Sequence, residues 1–192
     1  MESSTKSPEP IHQHYVPQCL LELFSREKNS KGESLLWVMS KDGKKRRKSN
    51  VEGIFAYNHL YTIVEGSKKI FAIEKTLANI EGDFATIYRE KISKRLPLSD
   101  TEHLILCAFV ATMLQRTLSY KDNLERNIDQ LIEHAKMMGA SPEATSKFVS
   151  DQERLKKDSH KKGLIQLFPE ITQTLMKMNV AFFCAEKSKS VF

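Results

Sequence analysis

The chain has 192 residues and a mass of 22.1 kDa, long enough for one domain that buries about 70% of the surface its unfolded chain exposes. With 40% apolar and 28% charged residues but only 7 Gly and 6 Pro, a disordered or fibrous chain is excluded. The formal net charge of +6 is concentrated: Lys41–Lys48 holds six basic residues against one acid, Lys156–Lys162 four against one, and the remainder is slightly acidic.

Residues 1–10 are small, polar and unpatterned, and are expected to be a flexible N-terminus ahead of one globular domain over 11–192. Pro17 suits the first turn of a helix, with Leu20, Leu21 and Phe24 falling on one face, so a short helix is expected over about 17–24. Ser34–Ser40, bounded by Lys31-Gly32 and Asp42-Gly43, reads as a strand, and the turn pair puts Lys41–Lys48 at a hairpin or loop tip. A second strand is expected over Leu60–Val64, ending at Gly66.

From Ile70 the pattern becomes helical. Ile73, Leu77, Ile80, Phe84 and Ile87 form one apolar stripe in a helix that Pro97 should stop. Ser99-Asp100-Thr101-Glu102 is a capping box, and the helix it opens meets no Gly or Pro before Gly139. One long central helix of nearly forty residues is therefore expected. Ser141-Pro142 restarts a peripheral helix to about Lys157, a last helix covers about 163–178, and Val180–Ala185 reads as a strand. The fold class is mainly α (α+β): several helices, with a small β element from the N-terminal third and the C-terminal strand.

The three cysteines form no close Cys/His pair, no apolar run approaches the ~18 residues of a membrane span, and the N-terminus lacks a signal-peptide core. A cytoplasmic protein that does not enter membranes is expected. P-loop, Rossmann, zincin and nucleophile-elbow motifs are absent from the sequence.

The segment His14-Tyr15-Val16-Pro17-Gln18-x-x-Leu21-x-x-Phe24 resembles the N-terminal signature of a bacterial family, domain of unknown function 4238. Its members continue with a short strand region, then a helix with spaced glutamates, similar to Ile73-Glu74 and Ile80-Glu81. A central helix with a Q-R-T element follows, similar to Gln115-Arg116-Thr117. The family pattern then calls for an S-D-x-P element where this chain reaches Phe192, so the resemblance implies a member shortened at its C-terminus. It implies no known chemistry.

The polar members of these motifs make a candidate site. His14 titrates near neutrality on a backbone fixed by Pro17, as an acid/base requires, or it bonds a buried carbonyl instead. Glu74 and Glu81 share one edge of their helix; they are candidate carboxylates for a divalent metal, given help from another segment, or for ion pairs. Arg116 follows an apolar stretch, so a buried guanidinium there must be paired with Glu74, Glu81 or an anionic ligand. Tyr15, Gln18 and Gln115 are candidate binding residues, with Lys44, Lys45, Arg46 and Arg47 for phosphates. Trp37 and the tyrosines are not interleaved with the basic clusters along the chain, so no stacking platform is evident.

Two readings follow. In one, a nucleic-acid-directed, nuclease-like domain uses His14, Glu74, Glu81 and Arg116 catalytically and Lys41–Lys48 for attraction. In the other, the same four residues form a structural polar network in a non-catalytic interaction or regulatory module. Both require the four side chains to converge.

Overall fold

The computed structural model describes residues 9–138 and 141–183. In chain order they form β1 (His12–His14), α1 (Gln18–Glu22), β2 (Glu27–Lys28), β3 (Ser34–Met39), β4 (Arg46–Asn50), β5 (Ala56–Asn58), β6 (Ile63–Glu65), β7 (Lys68–Ile70), α2 (Ala72–Glu90), α3 (Asp100–Gln115), α4 (Leu118–Met137) and α5 (Pro142–Met176). The expected class holds: mainly helical, with small antiparallel sheets. Most of the expected flexible N-terminus lies outside the described residues. No helix among the described residues is long and apolar enough to cross a membrane.

Three small sheets form before α2, with α1 between β1 and β2: β1 with β5, β2-β3-β4, and β6 with β7, all antiparallel. The β3–β4 hairpin turns where Asp42-Gly43 predicts, with Gly43 at φ 71. Ser40 Oγ donates to Asp42 Oδ1 at 2.6 Å and the Lys44 amide donates to the same oxygen at 3.1 Å, so the turn is pinned by its own residues. Strand alternation sends Leu36 and Val38 inward, against the buried Leu21, Val51 and Ile54. It sends Trp37 and Met39 outward.

The stripe on α2 buries Ile73, Leu77, Phe84 and Ile87. Phe84 stacks flat on Phe109, ring centres 3.7 Å apart, and so joins α2 to α3. The helix ends at Glu90, before Pro97, because the chain tightens into a 3-10 turn at Ile92–Lys94 and then takes a left-handed conformation at Arg95. Ser99 caps α3 as expected, with Glu102 completing the reciprocal box.

The forty-residue helix expected from Ser99 does not form. The chain breaks at Arg116 (φ −89, ψ 1), and Thr117 (φ −69, ψ 148) caps α4, its hydroxyl accepting from the Tyr120 amide. The break needs no Gly or Pro, because a threonine cap satisfies the new terminus and the buried bonds of Arg116 stabilise the turn.

The opposite correction applies downstream. The two short helices expected after Ser141 are one 35-residue helix, α5, running through Gly163 and Pro169. Gly163 is retained by packing: a Cβ there would lie 3.2 Å from Leu124 Cδ1 and 3.3 Å from Tyr120 Oη on α4. Nor is α5 peripheral throughout, since it packs on both α3 and α4 and buries His160, Gly163, Leu164 and Thr172. Val180–Phe183 join no strand, and the rest of the expected C-terminal strand lies outside the described residues.

Candidate functional site

The break between α3 and α4 aims the Arg116 side chain into the protein, where it is only 1% exposed. Its Nη1 donates to Glu81 Oε1 of α2 at 2.5 Å, and its Nη2 donates to the carbonyl oxygen of His14 at the end of β1. The guanidinium carbon sits 5.6 Å from the centre of the Tyr61 ring, within cation–π range. Burial alone would lower the arginine's pKa; Tyr61 and Glu81 reverse the sign, so the group stays charged. Glu81 and Arg116 thus form the ion pair that a buried arginine demands, and His14 joins them through its backbone carbonyl rather than its imidazole.

Glu74 lies two turns before Glu81 and takes a different state. Burial pushes its carboxyl up to about 7; Arg116 opposes that shift and the charge on Glu81 adds to it. Its Oε2 is buried without a hydrogen-bond partner. Glu81 pairs with Arg116, while Glu74 holds its proton into the neutral range.

His14 is nearly buried, and the Gln18 amide nitrogen lies 3.3 Å from its Nε2. An amide nitrogen only donates, so Nε2 accepts and the neutral ring carries its proton on Nδ1. Burial lowers the His14 pKa; backbone groups of Val51 and Glu52 and the charge of Glu81 oppose this, and Arg116 adds to it. On α1, the Cys19 thiol is pushed up to about 11, by burial above all and then by the Glu81 charge, which keeps it in the thiol form at neutral pH.

The other expected binding residues have separate places. Tyr15 packs edge-on against Phe55 and beside Tyr57, each at 5.8 Å between ring centres. Gln18 serves His14, and Gln115 Nε2 donates to the Gly163 carbonyl at 3.0 Å, tying α3 to α5. Lys44, Lys45, Arg46 and Arg47 are all exposed on the β3–β4 hairpin, remote in role from the cluster.

Several residues of the buried network carried no sequence-level signal. Gln13 is fully buried: its Nε2 donates to the Pro10 carbonyl at 3.0 Å and Thr62 Oγ1 at 2.9 Å, and its Oε1 accepts from the Tyr61 amide at 2.5 Å. Its place inside His12-Gln13-His14 was the one available hint. His160 sits in a run of lysines that reads as surface, yet it is buried, and its Nε2 donates to the Gln115 carbonyl at 2.9 Å. Tyr61 lies between these groups, its ring 5.8 Å from that of His160.

The cluster is largely buried: His14 and Arg116 are buried, and the Glu81 side chain is 19% exposed. Among the described residues no group of three or more His, Cys, Asp or Glu is placed to hold a metal ion, so the α2 glutamates find no helping ligand there.

The outward face of the β2-β3-β4 sheet is open. Trp37 is paired across the strands with Lys48, and Met39 with Arg46, so each apolar side chain has a cation beside it. Lys48 Nζ lies 5.2 Å from the centre of the Trp37 ring and also pairs with Glu27 of β2. Strand pairing thus places Trp37 beside Lys48, although the linear order separates the aromatic residues from the basic cluster.

The described residues form a mainly helical α+β protein with small antiparallel sheets, in which a mostly buried Glu81–Arg116 pair reaches the His14 carbonyl. The chain belongs to the family described as protein of unknown function (DUF4238), whose model matches residues 12–192. No curated protein and no solved structure matches it.

Proposed function

We propose that this protein binds nucleic acid through its β3–β4 hairpin and does not cleave it, the His14–Glu81–Arg116 cluster being the polar centre that holds β1, α2 and the α3–α4 turn together. The observation that carries this reading is the run Lys44–Lys48, five consecutive cations exposed on the β3–β4 hairpin. Among the described residues only Lys48 of these has a carboxylate partner. The second basic segment differs: it lies on α5, where Lys156 is matched by Asp129 and Lys161 by Asp158. Unmatched, clustered cations release counterions from a phosphate backbone, which gives sequence-independent affinity.

Against catalysis stands the engagement of Arg116. Its terminal nitrogens donate to Glu81 and the His14 carbonyl, its Nε–H is buried without a partner, and with the residue only 1% exposed the guanidinium is turned away from any incoming polymer.

The test is fluorescence anisotropy with labelled oligonucleotides across a salt series. Engaging four or five phosphates predicts a slope of log K against log salt of about −3 to −5. The triple variant Lys44→Glu, Lys45→Glu, Arg47→Glu should abolish binding at moderate salt. Absence of binding by the native protein, or unimpaired binding by the variant, overturns the reading. Strand cleavage with Mg²⁺ or Mn²⁺ that His14→Ala abolishes would return the cluster to a catalytic role.

A further inference from the structure

Resting on that reading, we infer that the outward face of the β2-β3-β4 sheet is a site for unpaired nucleic acid, in which Trp37 and Phe24 carry bases and Arg26, Arg46 and Lys48 meet phosphates. Three large apolar side chains stand open on or beside this face: Phe24 72% exposed, Met39 66% and Trp37 64%. Their inward neighbours Leu36 and Val38 pack on the core, so the exposure is not a failure of the sheet to find a core. A cleft of about 350 Å³ joins the two rings, lined by Phe24, Arg26, Glu27, Leu35, Leu36, Trp37 and Lys48.

Charge selects the occupant. Arg26 and Lys48 line this cleft and Arg46 pairs with Met39, and the one acid lining the cleft, Glu27, is paired with Lys48. An apolar face ringed by cations complements a polymer that alternates flat rings with anions. In a duplex the ring faces are hidden in the stack, whereas in a single strand every base offers one. The same Lys48 ammonium that lies over Trp37 can exchange Glu27 for a phosphate, which brings a base to that ring.

Trp37 is the single tryptophan of the chain, so its fluorescence reports this face alone. The protein is titrated with 20-residue oligo(dT) and oligo(U), with a 20-base-pair duplex, and with heparin as a polyanion without bases. Saturable quenching by either single strand is expected, with much weaker quenching by duplex and heparin. Trp37→Ala should weaken oligo(dT) binding about tenfold by anisotropy and leave heparin binding unchanged, and Trp37→Phe should retain most of the affinity. Thermal unfolding of both variants should match the native protein, since the ring is exposed. If duplex quenches as strongly as single strands, or Trp37→Ala binds oligo(dT) as well as native, this inference falls while hairpin binding stands. If no nucleic acid binds, both fall.

Discussion

Arg116 Nη2 donates to the carbonyl oxygen of His14, 102 positions earlier in the chain. The contact closes the N-terminal β segment onto the helices, because the same guanidinium holds Glu81 and faces Tyr61. Around it the polar groups divide into those that bear the fold and those that respond to protons, and they make different predictions.

Gln13 is the clearest of the first kind. Replacing it with leucine leaves the Tyr61 amide and the Thr62 hydroxyl without their buried partner. The expected loss is about 2–3 kcal/mol in urea unfolding. A loss below about 0.5 kcal/mol would mean that these bonds are not made in solution.

Glu74 sets the pH response. Its folded pKa of about 7 stands above the ordinary 4.5, so the folded state holds the proton more tightly. That contribution is complete below 4.5 and is lost as pH rises through 7. His14 and His160 act in the other direction: burial lowers both, so their contribution is complete above 6.5 and is lost as pH falls below it. Glu74→Gln removes only the first effect. Relative to the native protein it should gain about 1 kcal/mol between pH 5 and pH 8, a figure discounted for the partial exposure of the carboxyl. Melting curves at the two pH values check this, and a gap that stays constant or narrows contradicts it.

Ser99→Ala tests the start of α3. The reciprocal bonds between Ser99 and Glu102 satisfy two terminal amides, so about 1 kcal/mol should be lost. Chemical denaturation reads it directly, and an unchanged midpoint would place the helix start elsewhere.

Gly163→Leu separates packing from propensity. Leucine favours a helix over glycine by nearly 1 kcal/mol, so an unpacked α5 would be stabilised. Against Leu124 and Tyr120 the side chain has no room, and we expect destabilisation of 2 kcal/mol or more. A stabilised variant would contradict the close α4–α5 approach.

Much of this was legible in the sequence where a local signal had no rival. The α2 stripe, the Ser99 box and the Asp42-Gly43 turn each appear as read. The pairing of Arg116 with Glu81 was also among the partners expected of a charged residue after an apolar run, whereas its bond to the His14 carbonyl and its place over Tyr61 were not. What escaped was decided by tertiary contact. The helix break at Arg116-Thr117 is stabilised by bonds to residues far away in sequence, and Gly163 and Pro169 sit inside a helix that packing on α3 and α4 holds together. Pairing of Trp37 with Lys48 depends on strand register, and burial of His160 depends on α3 covering it; neither is written in neighbouring residues.

The central claim is that the Glu81–Arg116 pair is a bond of the fold. A double-mutant cycle in urea unfolding with Glu81→Leu, Arg116→Met and the double variant measures it. The account predicts that Arg116→Met alone costs about 3–5 kcal/mol and that the two changes couple by about 2–3 kcal/mol, because each partner leaves the other's buried group unmatched. Additive effects, with coupling below about 0.5 kcal/mol, would contradict it.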